Sequence, residues 1–280
     1  MAIIREVENH LNNEKEYNSF FNIYSFTNEN ISSYIPFFDL KNKSLLTVGS
    51  SCDQVLNASY SGCEDITVCD VCSLTKYYYY LKIASLLELN RDEFLKFLCE
   101  TYNGIEKNPY LLNKRTFNKI KNTLRNLDYD SYYLWIYLLS NYDINKLEKI
   151  FRNDINIKKD IIYCNEYLKS DKNFKHLKSL IMNTKVNFIN GNVVNEKYDR
   201  LFDNIWLSNV AHYLTNDEIN NMFLNNEKAL SINGKMLLCY LWNKEINFNK
   251  ELNKYITERI ILPGSNIHED NSILIYKKTL

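Results

Sequence analysis

The chain predicts a doubly wound α/β fold, a mostly parallel sheet of seven strands covered on both faces, on three observations. Short apolar runs of strand length alternate along the sequence with stretches of helical period. The first two runs end in residues suited to a ligand at the carboxyl edge of a sheet: Gly49-Ser50-Ser51 after the first and Asp70 at the end of the second. Residues 90–183 hold several amphipathic patterns and no convincing strand, which predicts a helical insertion between strands 2 and 3.

Residues 1–43 read as a lead-in with a helix near its start, followed by Tyr24 to Tyr34, a polar centre flanked by aromatics that suits a folded-over loop or short helix. Ser44-Leu-Leu-Thr-Val-Gly49 fits a buried parallel strand. From Asp53 a helix runs to Gly62, with the carboxylate near its N-terminus and the glycine as its stop. Ile66-Thr-Val-Cys-Asp70 is the second strand, and Leu74, Tyr77, Tyr78, Leu81, Ala84 and Ser85 mark one face of a long helix. Strand-like runs return at Val186–Ile189, Phe202–Ser208 and Lys235–Leu241, the last two separated by a helix from about Thr215 to just before Asn233-Gly234. Arg259–Leu262 and Ser272–Tyr276 form a closing hairpin that adds an antiparallel edge. With no linker rich in Gly, Ser or Pro, residues 1–280 read as one domain.

Composition narrows the function. There are 34 basic and 34 acidic residues, and a net charge of zero argues against binding driven by neutralised nucleic-acid phosphates. Seven Cys, an odd number scattered over 280 residues, do not form a secreted disulfide framework, so reduced thiols are expected. The N-terminus turns acidic after four residues, and the longest aromatic-aliphatic run, Tyr132 to Ser140, is far shorter than the roughly 20 residues that span a bilayer. The expectation is a soluble cytoplasmic protein without a transmembrane segment.

Small residues after the first strand let backbone amides approach a ligand. Gly49-Ser-Ser-Cys-Asp-Gln54 is not a Walker loop, since no Gly-Lys-Ser/Thr follows, and it has one Gly where the dinucleotide fingerprint has three. Asp70 lies about 20 residues on, where a carboxylate can accept from two ribose hydroxyls, so loop and acid together point to a nucleoside; as a strand-to-helix turn, Asp70 would instead cap the next helix.

These features resemble the class I S-adenosylmethionine-dependent methyltransferases, and more specifically the branch related to S-adenosylmethionine:diacylglycerol 3-amino-3-carboxypropyl transferases. The resemblance rests on Leu46 to Asn57, Val68-Cys-Asp70, Tyr80 to Ala84, and Phe202 to Tyr213; Leu207-Ser-Asn209 and Phe26-Thr-Asn-Glu-Asn30 are its most specific elements. It implies a Rossmann-like fold and S-adenosyl-L-methionine as cofactor. It also implies that Gly49, Ser50, Ser51 and Asp53, with Gln54 beside them, hold the methionine moiety, that Asp70 with Val71 holds the ribose, and that Asn192 and Val193 meet the adenine edge. Glu29 and Asn30 could bind the cofactor's ammonium and carboxylate, or stabilise their own loop. Two residues depart from the pattern. Cys52 stands where Gly is frequent, which predicts a backbone less free to take positive φ, and Asn192 stands where an acid is common.

A sulfonium is already activated, so its displacement needs an in-line nucleophile more than a strong acid or base. Ser208, Asn209, His212 and Tyr213 follow strand 4, where the acceptor would be presented, and could orient it or take its proton; His212 reads equally as a capping imidazole. The insertion is expected to cover the site and select the acceptor, a small or lipid-like molecule rather than nucleic acid. Cys69-Asp-Val-Cys72 has metal-site spacing but no second pair, so structural thiols are expected and no metal. Lys114, Arg115, Lys119, Lys121 and Arg125 could bind phosphate or an anionic membrane, and read more simply as a solvated helix face. Methyl transfer, 3-amino-3-carboxypropyl transfer and a non-catalytic nucleoside-binding scaffold all remain open.

Overall fold

A computed structural model describes residues 2–12, 23–99, 108–151, 158–240, 257–263 and 270–279. The lead-in supplies α1 (Ala2–Asn12) and the single turn α2 (Ile31–Tyr34). Strand and helix then alternate through β1 (Ser44–Val48), α3 (Asp53–Tyr60), β2 (Asp65–Asp70) and α4 (Leu74–Glu88). The insertion holds α5 (Arg91–Leu98), α6 (Lys114–Leu127), α7 (Tyr129–Asn141), α8 (Ile144–Leu147), α9 (Lys158–Cys164) and α10 (Asp171–Leu180). After it come β3 (Lys185–Asn190), β4 (Phe202–Trp206), α11 (Asn216–Lys228), β5 (Leu230–Tyr240), β6 (Glu258–Pro263) and β7 (Asp270–Lys277).

The seven strands form one sheet of order β3-β2-β1-β4-β5-β7-β6. Strands β1 to β5 are parallel, and β7 runs antiparallel between β5 and β6. This is the doubly wound, Rossmann-like sheet expected. In the closing hairpin it is the second strand, β7, that pairs with β5, and β6 forms the edge. β5 also starts earlier than the apolar run at Lys235, passing through Asn233 at φ 65° beside an irregularity in its pairing with β4.

Alternation of side chains along the strands divides the core in two. Leu45, Ile66, Val68, Trp206, Leu237 and Ile275 face one side, packed with α3, α4, the lead-in and the insertion. Leu46, Cys69, Ile205, Met236, Leu238 and Leu274 face the other, packed with Ile219, Met222 and Phe223 of α11. The insertion therefore thickens one face of the sheet. α4 is more than one-faced: Thr75, Tyr79, Lys82, Ile83 and Leu86 are buried along with the expected apolar stripe. Thr75 and Lys82 meet the β1 turn and Tyr79 meets Phe188 of β3, and α6 and α7 pack on the same helix. The hairpin's joining residues, 264–269, lie outside the described residues.

Candidate functional site

The turn between β1 and α3 is held in a conformation that L-residues disfavour. Ser50 has φ 44° and Cys52 φ 63°, each left-handed residue costing about 1–2 kcal/mol. Cys52 thus takes the positive φ expected to be difficult without glycine. Three contacts hold the turn there. The Cys52 amide donates to Gly49 O at 2.7 Å, the Ser50 amide donates to Asp70 Oδ2 at 2.7 Å, and Lys82 Nζ donates to Ser51 O at 2.9 Å. Gly49 is required by close approach: a Cβ there would meet Asp70 Oδ2 at 2.7 Å and Val68 Cγ1 at 2.9 Å, and would collide with the Thr75 methyl.

Asp70 closes the end of β2, its Oδ1 accepting from the Cys72 amide at 2.9 Å. Burial pushes its carboxyl up from the ordinary value, against the opposing pull of the Cys72 and Ser50 amides. Beside it opens a cavity of about 230 Å³ at the carboxyl edge of the sheet, where strand order reverses between β1 and β4. Its wall takes Ser50 from the β1 turn, Asp70 and Val71 from β2, Asn192 and Val193 from the β3 exit, and Ser208, Asn209 and Tyr213 from the β4 exit. Val71 is exposed, an apolar surface next to a carboxylate. Asn192 turns its Oδ1 back to the Val194 amide at 3.0 Å.

Other expected site residues lie off this wall. Gly49 and Ser51 sit in the turn behind it. Asp53 is wholly buried, its carboxylate taken by Lys82 Nζ and the Tyr167 hydroxyl on Oδ1 and by the Thr27 amide and Ser51 hydroxyl on Oδ2. Gln54 is also buried, its Nε2 lying 3.5 Å from Glu29 Oε2. Glu29 accepts from the Ser208 hydroxyl, from the Asn209 amide at 3.1 Å and from the Tyr34 hydroxyl at 3.3 Å. Asn30 is buried at the start of α2, and His212 is half-buried in the 3-10 turn Val210–Tyr213.

Among the described residues of the insertion, 90–99, 108–151 and 158–183, none lies on the cavity wall. The insertion packs on α4 through α6 and α7 and on α3 through α10. The lead-in gives the wall Ile23 and Tyr24, and the Tyr24 hydroxyl lies 3.3 Å from that of Tyr213. Sequence reasoning missed Tyr24 and Glu218 as wall residues. Tyr24 belongs to the aromatic-flanked segment singled out above, while Glu218 carries only the signature of a capping box with Thr215. The basic face of α6 is off the wall, with Lys119 paired to Glu93 at 2.6 Å. Among the described residues no group of three or more His, Cys, Asp or Glu is placed to hold a metal.

No family model matches the chain, and no curated protein matches it. Among solved structures it is similar to the N-methyltransferase NodS of Bradyrhizobium japonicum WM9 in complex with S-adenosyl-L-homocysteine, at 12% identity over 98% of this chain and 97% of that one, with a TM-score of 0.41. The rRNA methyltransferase aviRa of Streptomyces viridochromogenes follows at 9% identity over 85% and 77%, TM-score 0.41. Magnesium protoporphyrin IX methyltransferase ChlM of Synechocystis PCC 6803, with bound SAM, stands at 7% identity over 88% and 74%, TM-score 0.37. Likeness this distant carries no argument about what this chain binds or transfers.

Proposed function

We propose that the protein is an S-adenosylmethionine-dependent transferase, foremost a methyltransferase, acting on a small or lipid-like acceptor. One observation carries this reading. The Ser50 amide and the Asp70 carboxylate, 20 residues apart, meet at 2.7 Å on the wall of a cavity at the switch point of the sheet, where a single nucleoside can touch both. The residues fit the cofactor: Asp70 would accept the ribose hydroxyls, Val71 and Val193 would flank the adenine, and Asn192 would meet its edge. The turn Gly49–Ser51 would hold the amino-acid end.

When bound, the cofactor supplies a sulfonium carbon open to in-line displacement. Ser208, Asn209 and Tyr213 then have to orient the acceptor and receive its proton. Asp70 and Glu218 are the charged residues among the described wall residues, and no Lys, Arg or His joins them, which favours an uncharged or cationic acceptor over a nucleic acid. No described helix is long and apolar enough to cross a membrane. A cytoplasmic location belongs to the same proposal, on seven buried cysteines of which none is in a disulfide.

Calorimetry with S-adenosylmethionine and S-adenosylhomocysteine tests the reading. Asp70→Ala should weaken both by about 1–3 kcal/mol, the loss of a charged acceptor. Unchanged affinity in the variant overturns the ribose assignment. Binding of neither ligand by the wild type overturns the cofactor itself and favours a non-catalytic scaffold, which the Cys52 and Asn192 departures would then explain.

A second reading, 3-amino-3-carboxypropyl transfer of the diacylglycerol branch, is favoured by Glu29. It joins Phe26–Asn30 to Leu207–Asn209, the two segments most specific to that resemblance. Product analysis separates the two: methyl transfer leaves S-adenosylhomocysteine, and transfer from the methionine γ-carbon leaves 5′-methylthioadenosine.

A further inference from the structure

Behind the Ser50–Cys52 turn, off the cavity wall, lies an ion pair wholly excluded from solvent. Lys82 Nζ donates to Asp53 Oδ1 at 2.7 Å, to Ser51 O at 2.9 Å and to Ser25 O at 3.0 Å, with the Phe26 ring centre 4.2 Å away. Asp53 Oδ1 also accepts from the Tyr167 hydroxyl at 2.7 Å, while Oδ2 accepts from the Thr27 amide at 2.6 Å and the Ser51 hydroxyl at 3.0 Å. All three ammonium donors and both carboxylate oxygens are engaged. Four segments meet at this point: the lead-in, the β1 turn, α4, and the 3-10 turn Glu166–Leu168 of the insertion. A parallel tie lies beside it, Asn57 Nδ2 donating to Asn165 Oδ1 at 2.7 Å and accepting on Oδ1 from the Glu166 amide at 2.8 Å.

A buried ion pair is a poor source of net stability, because an apolar replacement of equal volume is often as stable; what such a pair can do is fix geometry. Here it fixes a carbonyl. Ser51 stands between two residues of positive φ, and its carbonyl shares a peptide plane with the Cys52 amide, which closes the turn on Gly49 O at 2.7 Å, so holding that carbonyl holds the shape of the turn. Lys82 grips that carbonyl, and Tyr167 and Asp53 hold Lys82 in place.

We infer that Lys82 and Tyr167 are positioning residues for the amino-acid end of the nucleoside, acting through Asp53 and the Ser51 carbonyl, so that the 3-10 turn Glu166–Leu168 of the insertion sets the grip of the turn from behind. The inference rests on the transferase reading. It makes this part of the insertion a buttress of the cofactor turn, and it gives Asp53 a role one layer behind the ligand.

The test compares two probes that share the nucleoside and differ in the amino-acid end: S-adenosylhomocysteine, which has it, and 5′-methylthioadenosine, which lacks it. Tyr167→Phe removes one hydroxyl and leaves the ion pair, so it keeps the fold and carries the test. Lys82→Met leaves Asp53 an uncompensated buried charge and is read only if its melting stays cooperative. Calorimetry should find S-adenosylhomocysteine weakened about fivefold to tenfold in Tyr167→Phe while 5′-methylthioadenosine stays within about twofold. Equal weakening of both probes, or no change in either, overturns the inference. Failure of the wild type to bind either probe overturns the transferase reading, and this inference with it, so the two failures are told apart.

Discussion

Glu29 Oε1 accepts a hydrogen bond from the Asn209 amide at 3.1 Å, tying the lead-in to the exit of β4 across 180 residues of chain. The Ser208 hydroxyl donates to the same oxygen, and Ser208 itself sits at φ 55°. A strained residue on the cavity wall is thus held from behind by a buried carboxylate, whose second oxygen takes the Tyr34 hydroxyl at 3.3 Å and Gln54 Nε2 at 3.5 Å.

Burial outweighs those hydrogen bonds and raises the Glu29 carboxyl above its ordinary 4.5. A group raised on folding contributes stability that is full below its unfolded pKa and is lost as pH rises through the folded one. The wild type should therefore lose stability relative to Glu29→Gln as pH is raised from about 4.5 towards neutrality. Urea unfolding of both proteins at a series of pH values measures the difference. A difference that stays flat would mean that Glu29 keeps an unperturbed carboxyl.

Cys52 gives a cleaner measure of backbone strain. Cys52→Ala and Cys52→Gly both remove the buried thiol, whose contact with Thr75 O at 3.8 Å is weak, but only glycine relieves φ 63°. The glycine variant should be the more stable of the two by about 1 kcal/mol, the left-handed penalty less the extra entropy of an unfolded glycine. Equal unfolding midpoints, at equal m-values, would place the strain elsewhere in the turn.

Strands and helices were legible because their signals are local. The apolar run Leu45–Val48, the period of α4 and the Thr215-x-x-Glu218 box each fit inside one window of sequence. Gly49 and Asp70 were legible for the same reason, as a small-residue turn and a carboxylate closing a strand. Lys82 and Tyr167 were not. A lysine inside a helical pattern reads as solvent-exposed, and nothing near residue 82 announces Asp53 and two carbonyls waiting in the core. Asp53 itself was read from its place at a helix start, which shows that a carboxylate belongs there but not which partners it meets. The insertion shows the same limit of local signals: periodicity shows that residues 114–141 are helical, while what they cover is decided by packing against α4.

The cysteines should be chemically silent in the native protein. Burial raises Cys69 to about 11 and Cys63 and Cys72 to about 12, far from the thiolate range at neutral pH. Thiol titration at pH 7.5 should find almost no fast-reacting group in the native protein and seven in urea, one for each buried cysteine outside any disulfide. Pretreatment with a zinc chelator should leave the native count unchanged. Release of two thiols by the chelator would instead make Cys69 and Cys72 a metal pair.

Tyr213 and His212 are neighbours in one 3-10 turn and differ in what they face. Tyr213 lies on the cavity wall with its hydroxyl 3.3 Å from that of Tyr24, while His212 is off the wall. If the proton or the orientation of the acceptor is managed from this turn, the phenol is placed to do it and the imidazole is not. Label transfer from S-adenosylmethionine into the small-molecule and lipid fractions of a cell extract should therefore fall in Tyr213→Phe and change little in His212→Ala. Affinity for S-adenosylhomocysteine should stay within about twofold in both, since a residue acting on the acceptor alone contributes to turnover and not to cofactor binding. The opposite pattern, with transfer lost on removing the imidazole and kept without the phenol, would move the acceptor to the His212 side of the turn and away from Tyr24.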